Sequence, residues 1–300
     1  MPVVELAGVT KAYEAKIAVR ELSLSIDAGQ MFGLLGPNGA GKTSSIRMMM
    51  GITLPDSGTV KLFDRPFERK SLERVGYLPE ERGLYKKMKV LEQLVFFGQL
   101  HGLTADEARS RATRWAQRLE IDDALPKKTE ELSKGMQQKI QFIGSLLHDP
   151  GLIVMDEPFS GLDPVNAKLL EKTLLDLKDE GKAILFSTHR MDQVEKLCDS
   201  ICLVNNGEAV LSGRMREIKS RYERNHVEVE FEGSAEFLKS SEIAEAKNFS
   251  GHAEIRLKHL GDAQKLLREA TAVAKIYRFE LMEPSLEEIF IRTVGGKVDA

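Results

Sequence analysis

Near the N-terminus apolar and polar residues alternate in short runs, Val3-Val4-Glu5-Leu6 and Leu22-Ser23-Leu24-Ser25-Ile26, with turn residues between them. Alternation of period two sends successive side chains to opposite faces and predicts antiparallel strands. The pattern then changes. Gln30-Met31-Phe32-Gly33-Leu34-Leu35, Leu152-Ile153-Val154-Met155 and Ala183-Ile184-Leu185-Phe186 are short apolar runs without alternation. They predict strands buried on both faces. Helical spacing follows each of them, at Gly41 to Met50, Pro164 to Asp179 and Met191 to Leu197. Strands alternating with helices predict an α/β class with a parallel sheet covered on both sides. A further stretch, roughly Leu91 to Leu119, has helical spacing throughout and carries the only tryptophan, Trp115.

After about Arg224 the rhythm is different. His226 to Glu232 and Ala253 to Lys258 alternate, Ile276 to Leu281 is a third strand candidate, and helix-like stretches occupy Ala235 to Ser240, Asp262 to Ala272 and Leu286 to Val294. The expected organisation is a first domain at residues 1–224, with a helical subdomain at about 84–147, and a small C-terminal α+β domain at 225–300.

Composition narrows the functional classes. With 42% hydrophobic and 30% charged residues in 300, the chain can build packed cores under a solvated surface. The balance of 43 basic against 46 acidic residues gives −3, and the segment from His226 onward carries 10 against 14, or −4. A nucleic-acid-binding face is not expected. The longest uncharged stretch, Ala28 to Gly41, is broken by glycines and a proline, so no spanning helix is expected. The start lacks a basic region followed by an apolar one, and the two cysteines, Cys198 and Cys202, form no disulfide framework or zinc pattern. The expected compartment is the cytoplasm.

The chemistry begins with Gly36-Pro37-Asn38-Gly39-Ala40-Gly41-Lys42-Thr43, a G-x-x-x-x-G-K-T loop between a strand and a helix. Glycines let backbone N–H groups turn inward around phosphate oxygens, and the helix adds its positive N-terminus. Lys42 would reach the β- and γ-phosphates and the Thr43 hydroxyl would ligate Mg²⁺. The run Leu152 to Met155 ends in Asp156-Glu157-Pro158. Strand alternation would point the two carboxylates apart, Asp156 toward the metal and Glu157 toward an attacking water as general base.

Leu132-Ser133-Lys134-Gly135-Met136-Gln137-Gln138 resembles the signature motif of ATP-binding cassette proteins. Ser160-Gly161-Leu162-Asp163 is similar to their D-loop, Ser187-Thr188-His189 to their switch histidine, and Tyr13 stands where the family stacks an aromatic on adenine. The resemblance runs from Val3 to about Ser220. It implies a P-loop NTPase (RecA-like) core with an antiparallel β subdomain and a helical subdomain. It also implies a head-to-tail homodimer with ATP between one copy's phosphate loop and the other's signature. Ser133 and Gly135 would then bind the γ-phosphate in trans, and His189 would hold it while orienting the water used by Glu157.

Two departures stand out. The usual signature is L-S-G-G-Q, and Lys134 and Met136 replace its third and fifth residues. Where the family places a glutamine that contacts metal and water, this chain has Glu80, within Gly76-Tyr77-Leu78-Pro79-Glu80-Glu81. A carboxylate there could ligate Mg²⁺ at the cost of repulsion against Glu157 and the γ-phosphate. With the ending Pro284-Ser285-Leu286-Glu287-Glu288-Ile289-Phe290, these features resemble the ATPase subunits of ABC-2 type exporters. The resemblance implies ATP and Mg²⁺ as cofactors and a separate membrane permease as partner, contacted by the helical subdomain. Export is favoured because the tail is too short for the regulatory barrel of importers. The other class kept open is a soluble cassette ATPase of translation or DNA maintenance. Such members carry two cassettes or a long coiled coil, and this chain has one phosphate loop and one signature.

Overall fold

The computed structural model describes all residues except Met1, Ala15, Arg82, Glu223 and residues 296–300. Arg82, beside the acidic segment, and the last five residues of the expected tail thus lie outside the described residues. The chain divides into two units, Met1–Gly213 and Arg214–Ala300.

In the first unit, β1 (Pro2–Tyr13) and β2 (Lys16–Asp27) pair antiparallel. They form a sheet with β4 (Ser57–Leu62) and β5 (Arg65–Pro66) in the order β2-β1-β4-β5. The central sheet holds β3 (Met31–Leu35), β6 (Val75–Leu78), β7 (Leu152–Asp156), β8 (Ala183–Thr188), β9 (Ser200–Asn205) and β10 (Glu208–Arg214), ordered β10-β9-β3-β8-β7-β6. Here β3 runs parallel to β8 and β9, and β7 parallel to β6 and β8. Every residue of β3, β7 and β8 is buried, as uniformly apolar runs require. The helices are α1 (Lys42–Met49), α2 (Val90–Leu100), α3 (Ala105–Arg118), α4 (Lys134–Leu146), α5 (Pro164–Asp179) and α6 (Met191–Leu197).

The expected continuous helix at Leu91–Leu119 is two helices. Gly102 takes a left-handed turn at φ 82°, and Thr104 opens α3 with a reciprocal capping box to Glu107. Strands β4, β5, β6, β9, β10 and, in the tail, β12 were not among the expected elements.

The second unit contains α7 (Met215–Ser220), β11 (His226–Gly233), β12 (Ile243–Phe249), β13 (His252–Leu257), α8 (Ala263–Val273), β14 (Ala274–Met282) and α9 (Leu286–Gly295). Its antiparallel sheet has the order β12-β13-β11-β14. Val227, Val229, Phe231, Ile255 and Leu257 pack with Leu266 and Ala270 of α8 into a separate core. The division falls ahead of the expected Arg224, because the connecting segment is bonded to the tail. Tyr222 Oη lies 3.3 Å from Thr293 Oγ1 and Arg224 pairs with Glu283 at 2.5 Å. Ala235 to Ser240 shortens to a 3₁₀ turn at Glu236–Lys239. No helix among the described residues is long and apolar enough to cross a membrane.

Candidate nucleotide site

The glycine-rich loop leaves β3 and enters α1, so the sequence fixes a strand, a tight turn and a helix N-terminus within a few residues. Gly36 and Gly41 have φ 151° and 110°. A Cβ on Gly36 would stand 2.1 Å from the Val204 carbonyl oxygen, and one on Gly41 2.3 Å from that of Ala18. Only glycine fits either place. Gly39, at φ 78°, faces open space. Ala40 N donates to Pro37 O at 3.2 Å, closing the turn, and the Ala40 carbonyl accepts from Gly207 N at 2.9 Å. Asn38 is exposed at the loop tip. The first turn of α1 carries no acidic residue, so its free N–H groups offer an uncontested anion site.

Lys42 begins α1 with its side chain folded into the loop, its Nζ donating to Gly36 O at 2.7 Å and Pro37 O at 3.1 Å. Burial lowers its pKa, against the raising influence of Glu157, Asp156 and Glu80. An ammonium already partly desolvated, facing three carboxylates and two carbonyls, is suited to a polyanion that enters the loop.

The neighbouring strand β7 delivers the two acids. Asp156, 1% exposed, accepts from Thr43 Oγ1 at 2.8 Å and from Ser187 Oγ. Strand alternation, the expectation from sequence, does not orient Glu157. It lies one residue past β7 in a left-handed conformation, φ 50°, with its N–H on Ser187 O at 3.0 Å. That turn aims its side chain at the end of β8. There Thr188 Oγ1 donates to Glu157 Oε2 at 3.0 Å, and His189 N to Oε1 at 3.1 Å. His189 Nδ1 also meets Oε1, at 2.8 Å, which leaves Nε2 on a ring whose side chain is 56% exposed.

These residues fit a nucleoside triphosphate with Mg²⁺. Among the described residues no three His, Cys, Asp or Glu side chains gather as a metal cluster. A cation here would take the Thr43 hydroxyl, one carboxylate, phosphate oxygens and water, a set that suits Mg²⁺. Glu80 is exposed just past β6, near enough to act on the Lys42 charge.

The signature stands apart from this cluster. Ser133 caps α4, its Oγ accepting from Met136 N at 3.2 Å, and Gly135 lies 3.4 Å (from an ideal Cβ) from the Gly161 carbonyl of the D-loop. Ser133 is exposed and Gly135 half buried. The amide absent at Met136 is present one place on, where Gln137 Nε2 donates to Thr129 O and Leu132 O at 3.2 and 3.1 Å. Tyr13 ends β1, 40% exposed, with the Lys11 ammonium 5.7 Å from its ring. The sequence placed Gln137 and Gln138 in the signature without a role and left Gln141 unnamed, yet all three bond to backbone carbonyls. Besides Gln137, Gln138 donates to Pro158 O at 3.1 Å, and Gln141 donates to Pro79 O and Glu81 O at 3.1 and 3.2 Å. Gln138 ties the helical subdomain to the segment after the acids and Gln141 ties it to the backbone on both sides of Glu80, while Gln137 braces the subdomain itself. A run of glutamines on a helix with buried neighbours was the available signal.

Comparison with known proteins agrees with this geometry. Residues 19–160 match the ABC transporter family, and residues 213–294 match the C-terminal domain of ATP-binding protein DrrA1-3-like. An ABC transporter ATP-binding protein of Bacillus subtilis, YhaQ, is 44% identical over 96% of this chain and 97% of its own length. The linearmycin resistance ATP-binding protein LnrL of the same organism is 32% identical over 96% and 97%. The Nod factor export ATP-binding protein I of Burkholderia lata is 32% identical over 99% of both. A solved ATP-binding subunit of an ABC transporter superposes with a TM-score of 0.68 at 28% identity, covering 73% of this chain and 92% of that one.

Proposed function

The chain belongs to the ABC transporter ATP-binding proteins, and we propose that it hydrolyses ATP to drive export through a separate membrane permease. The observation that carries the reading is Glu157, fixed by Thr188 and His189 beside the Thr43–Asp156 pair. Residues 36–43 wrap the phosphates, Lys42 leaves its two carbonyls for phosphate oxygens, and Tyr13 stacks on the adenine. Thr43 and Asp156 would hold Mg²⁺, with Glu80 as a further contact. When bound, Mg²⁺ neutralises developing phosphate charge. Glu157 takes the proton of the attacking water. His189, anchored through Nδ1, turns Nε2 to the γ-phosphate. Ser133 and Gly135 of a second copy close the site head-to-tail.

Export and the permease are supported by the relatives whose names state export or resistance. The helical subdomain at about 84–147 makes the contact, which holds the protein at the inner face of the membrane. The test combines turnover with isolation. The purified chain hydrolyses Mg²⁺-ATP, and from membranes it is isolated together with a protein of several spanning helices. Isolation with ribosomes or DNA instead, and no membrane protein, overturns the transport reading. Lys42→Ala abolishes nucleotide binding.

A further inference from the structure

The C-terminal unit holds a cavity of about 590 Å³, a size that suits a small molecule. One wall is the outer face of the antiparallel sheet, where the pairing register sets side chains in rows. The first row is Glu245, Arg256, His226 and Met282, and the second is Lys247, Glu254 and Glu228. The other wall is one face of α9, with Glu288, Ile291 and Arg292 at the i, i+3, i+4 spacing.

The α9 wall is set by a chain of three side chains. Ser285 N donates to Glu288 Oε2 at 3.0 Å and Glu288 N donates to Ser285 Oγ at 3.2 Å, the reciprocal capping that starts the helix. Glu288 Oε1 lies 2.9 Å from His226 Nδ1, which therefore carries the proton. Nε2 is left as an acceptor, and Arg292 Nη2 lies 3.2 Å from it. A guanidinium only donates, so the imidazole is neutral. Burial lowers the His226 pKa in the same sense, helped by Arg292 and Arg256 and opposed by Glu288.

Arg292 is thus oriented by a neutral nitrogen, its only hydrogen-bond partner among the described residues. The nearby glutamates are engaged elsewhere: Glu288 with His226, Glu245 with Arg256 at 3.3 Å, Glu283 with Arg224 at 2.5 Å. Glu228 lies 3.6 Å from Arg278. A guanidinium aimed by a neighbour and left with its charge uncompensated is preorganised for an anion. Two apolar side chains line the same cavity: Ile291, 59% exposed, and Met282, the cross-strand neighbour of His226.

We propose that this cavity binds a small amphiphilic monoanion, its carboxylate on the remaining donors of Arg292 and its apolar chain over Ile291 and Met282. A planar carboxylate matches the guanidinium fork. Glu228 and Glu254 in the second row oppose a second negative charge, so a carboxylate binds better than a phosphate monoester. The proposal depends neither on the ATP chemistry nor on a membrane partner.

The test titrates the full chain calorimetrically at neutral pH with octanoate, octanol, octylammonium and octyl phosphate, each below its micellar concentration. One octanoate binds per chain, at least about tenfold tighter than octanol, as a hydrogen bond to a charged group implies. Arg292→Met, which keeps the apolar stem and removes the charge, brings octanoate down to the level of octanol, and Arg292→Lys keeps part of the difference. In the unsubstituted chain the Arg292 side-chain N–H signals shift with octanoate and not with octanol, a readout that requires no variant to fold. Absence of octanoate binding overturns the proposal, as does equal or tighter binding of any of the other three. It also falls if octanoate keeps its advantage over octanol in Arg292→Met, or if the Arg292 signals ignore octanoate.

Discussion

The central sheet of the cassette unit and the sheet of the C-terminal unit follow opposite burial rules. Strands β3, β7 and β8 are buried at every position, whereas β11 and β13 alternate, one face on their own core and the other toward water. On β3, β7 and β8 a side chain meets a solute only where the strand stops. Asp156, Glu157 and His189 stand at such ends. On the second sheet the outer face carries charged side chains within reach of water, and many of them pair with one another. Arg278 lies 3.6 Å from Glu228 and 3.8 Å from Glu230, and also pairs with Glu280. Covering both faces concentrates chemistry at the strand ends. Leaving one face open spreads charge over a surface where each ion pair contributes about 0–1 kcal/mol.

The strongest way to break this contrast is at a strand end. Glu157→Gln removes the base and leaves the phosphate cradle, so turnover falls by about 10²–10⁴-fold with ATP binding kept. Near-native turnover in a steady-state assay removes Glu157 from that role.

Matched substitutions within the strands come next. Ile153→Ala on β7 opens a cavity in a fully buried position and costs about 2–5 kcal/mol. Glu230→Ala, on the exposed face of β11, stays within about 0.5 kcal/mol. Urea unfolding monitored for both variants checks the pair, and similar losses at the two sites contradict the burial rule.

At the strand-end site itself, Glu80→Gln is expected to preserve Mg²⁺-ATP binding and leave turnover equal or higher. Glu80 adds a third negative charge beside Glu157 and the triphosphate, a repulsion of kcal scale at an effective dielectric of about 20. Hydrolysis across a Mg²⁺ titration decides the matter. A large loss rescued only by raised Mg²⁺ identifies Glu80 as a metal ligand instead.

A further effect, seen only as pH is lowered, lies at half-buried His148 of the cassette unit. Its folded pKa of about 4 is below the ordinary 6.5, so the unfolded chain binds the proton more readily. The stability this contributes is fully present above pH 6.5 and is lost as pH falls toward 4. His148→Phe should therefore show a shallower fall in melting temperature over that window. Parallel curves for the two proteins refute the assignment.

The apolar runs of β3, β7 and β8 and the alternation of β11 and β13 made those strands legible in the sequence, whereas the short β6 and the buried β9, whose apolar run spans only Ile201 to Val204, were missed. β12 escaped because it is an edge strand with every residue after Ile243 exposed, so its side chains carry no repeat. The break between α2 and α3 was written in Thr104 and Glu107, a capping box overlooked inside a longer helical rhythm. Residue types and spacing identified the phosphate loop and both acids. They could not give the direction of Glu157, which depends on one left-handed φ angle, nor the partners of Gln141, which lie about 60 positions away on a different element.

The phosphate loop has a property that bears on inheritance. Its two tight glycines are walled by carbonyl oxygens of Val204 and Ala18, which are main-chain atoms. Mutation rewrites side chains and leaves the backbone's own oxygens in every descendant. The residues around the loop can therefore drift while the walls keep their composition, whereas a single altered codon at Gly36 or Gly41 introduces a methyl group for which no neighbouring side chain can be trimmed to make room.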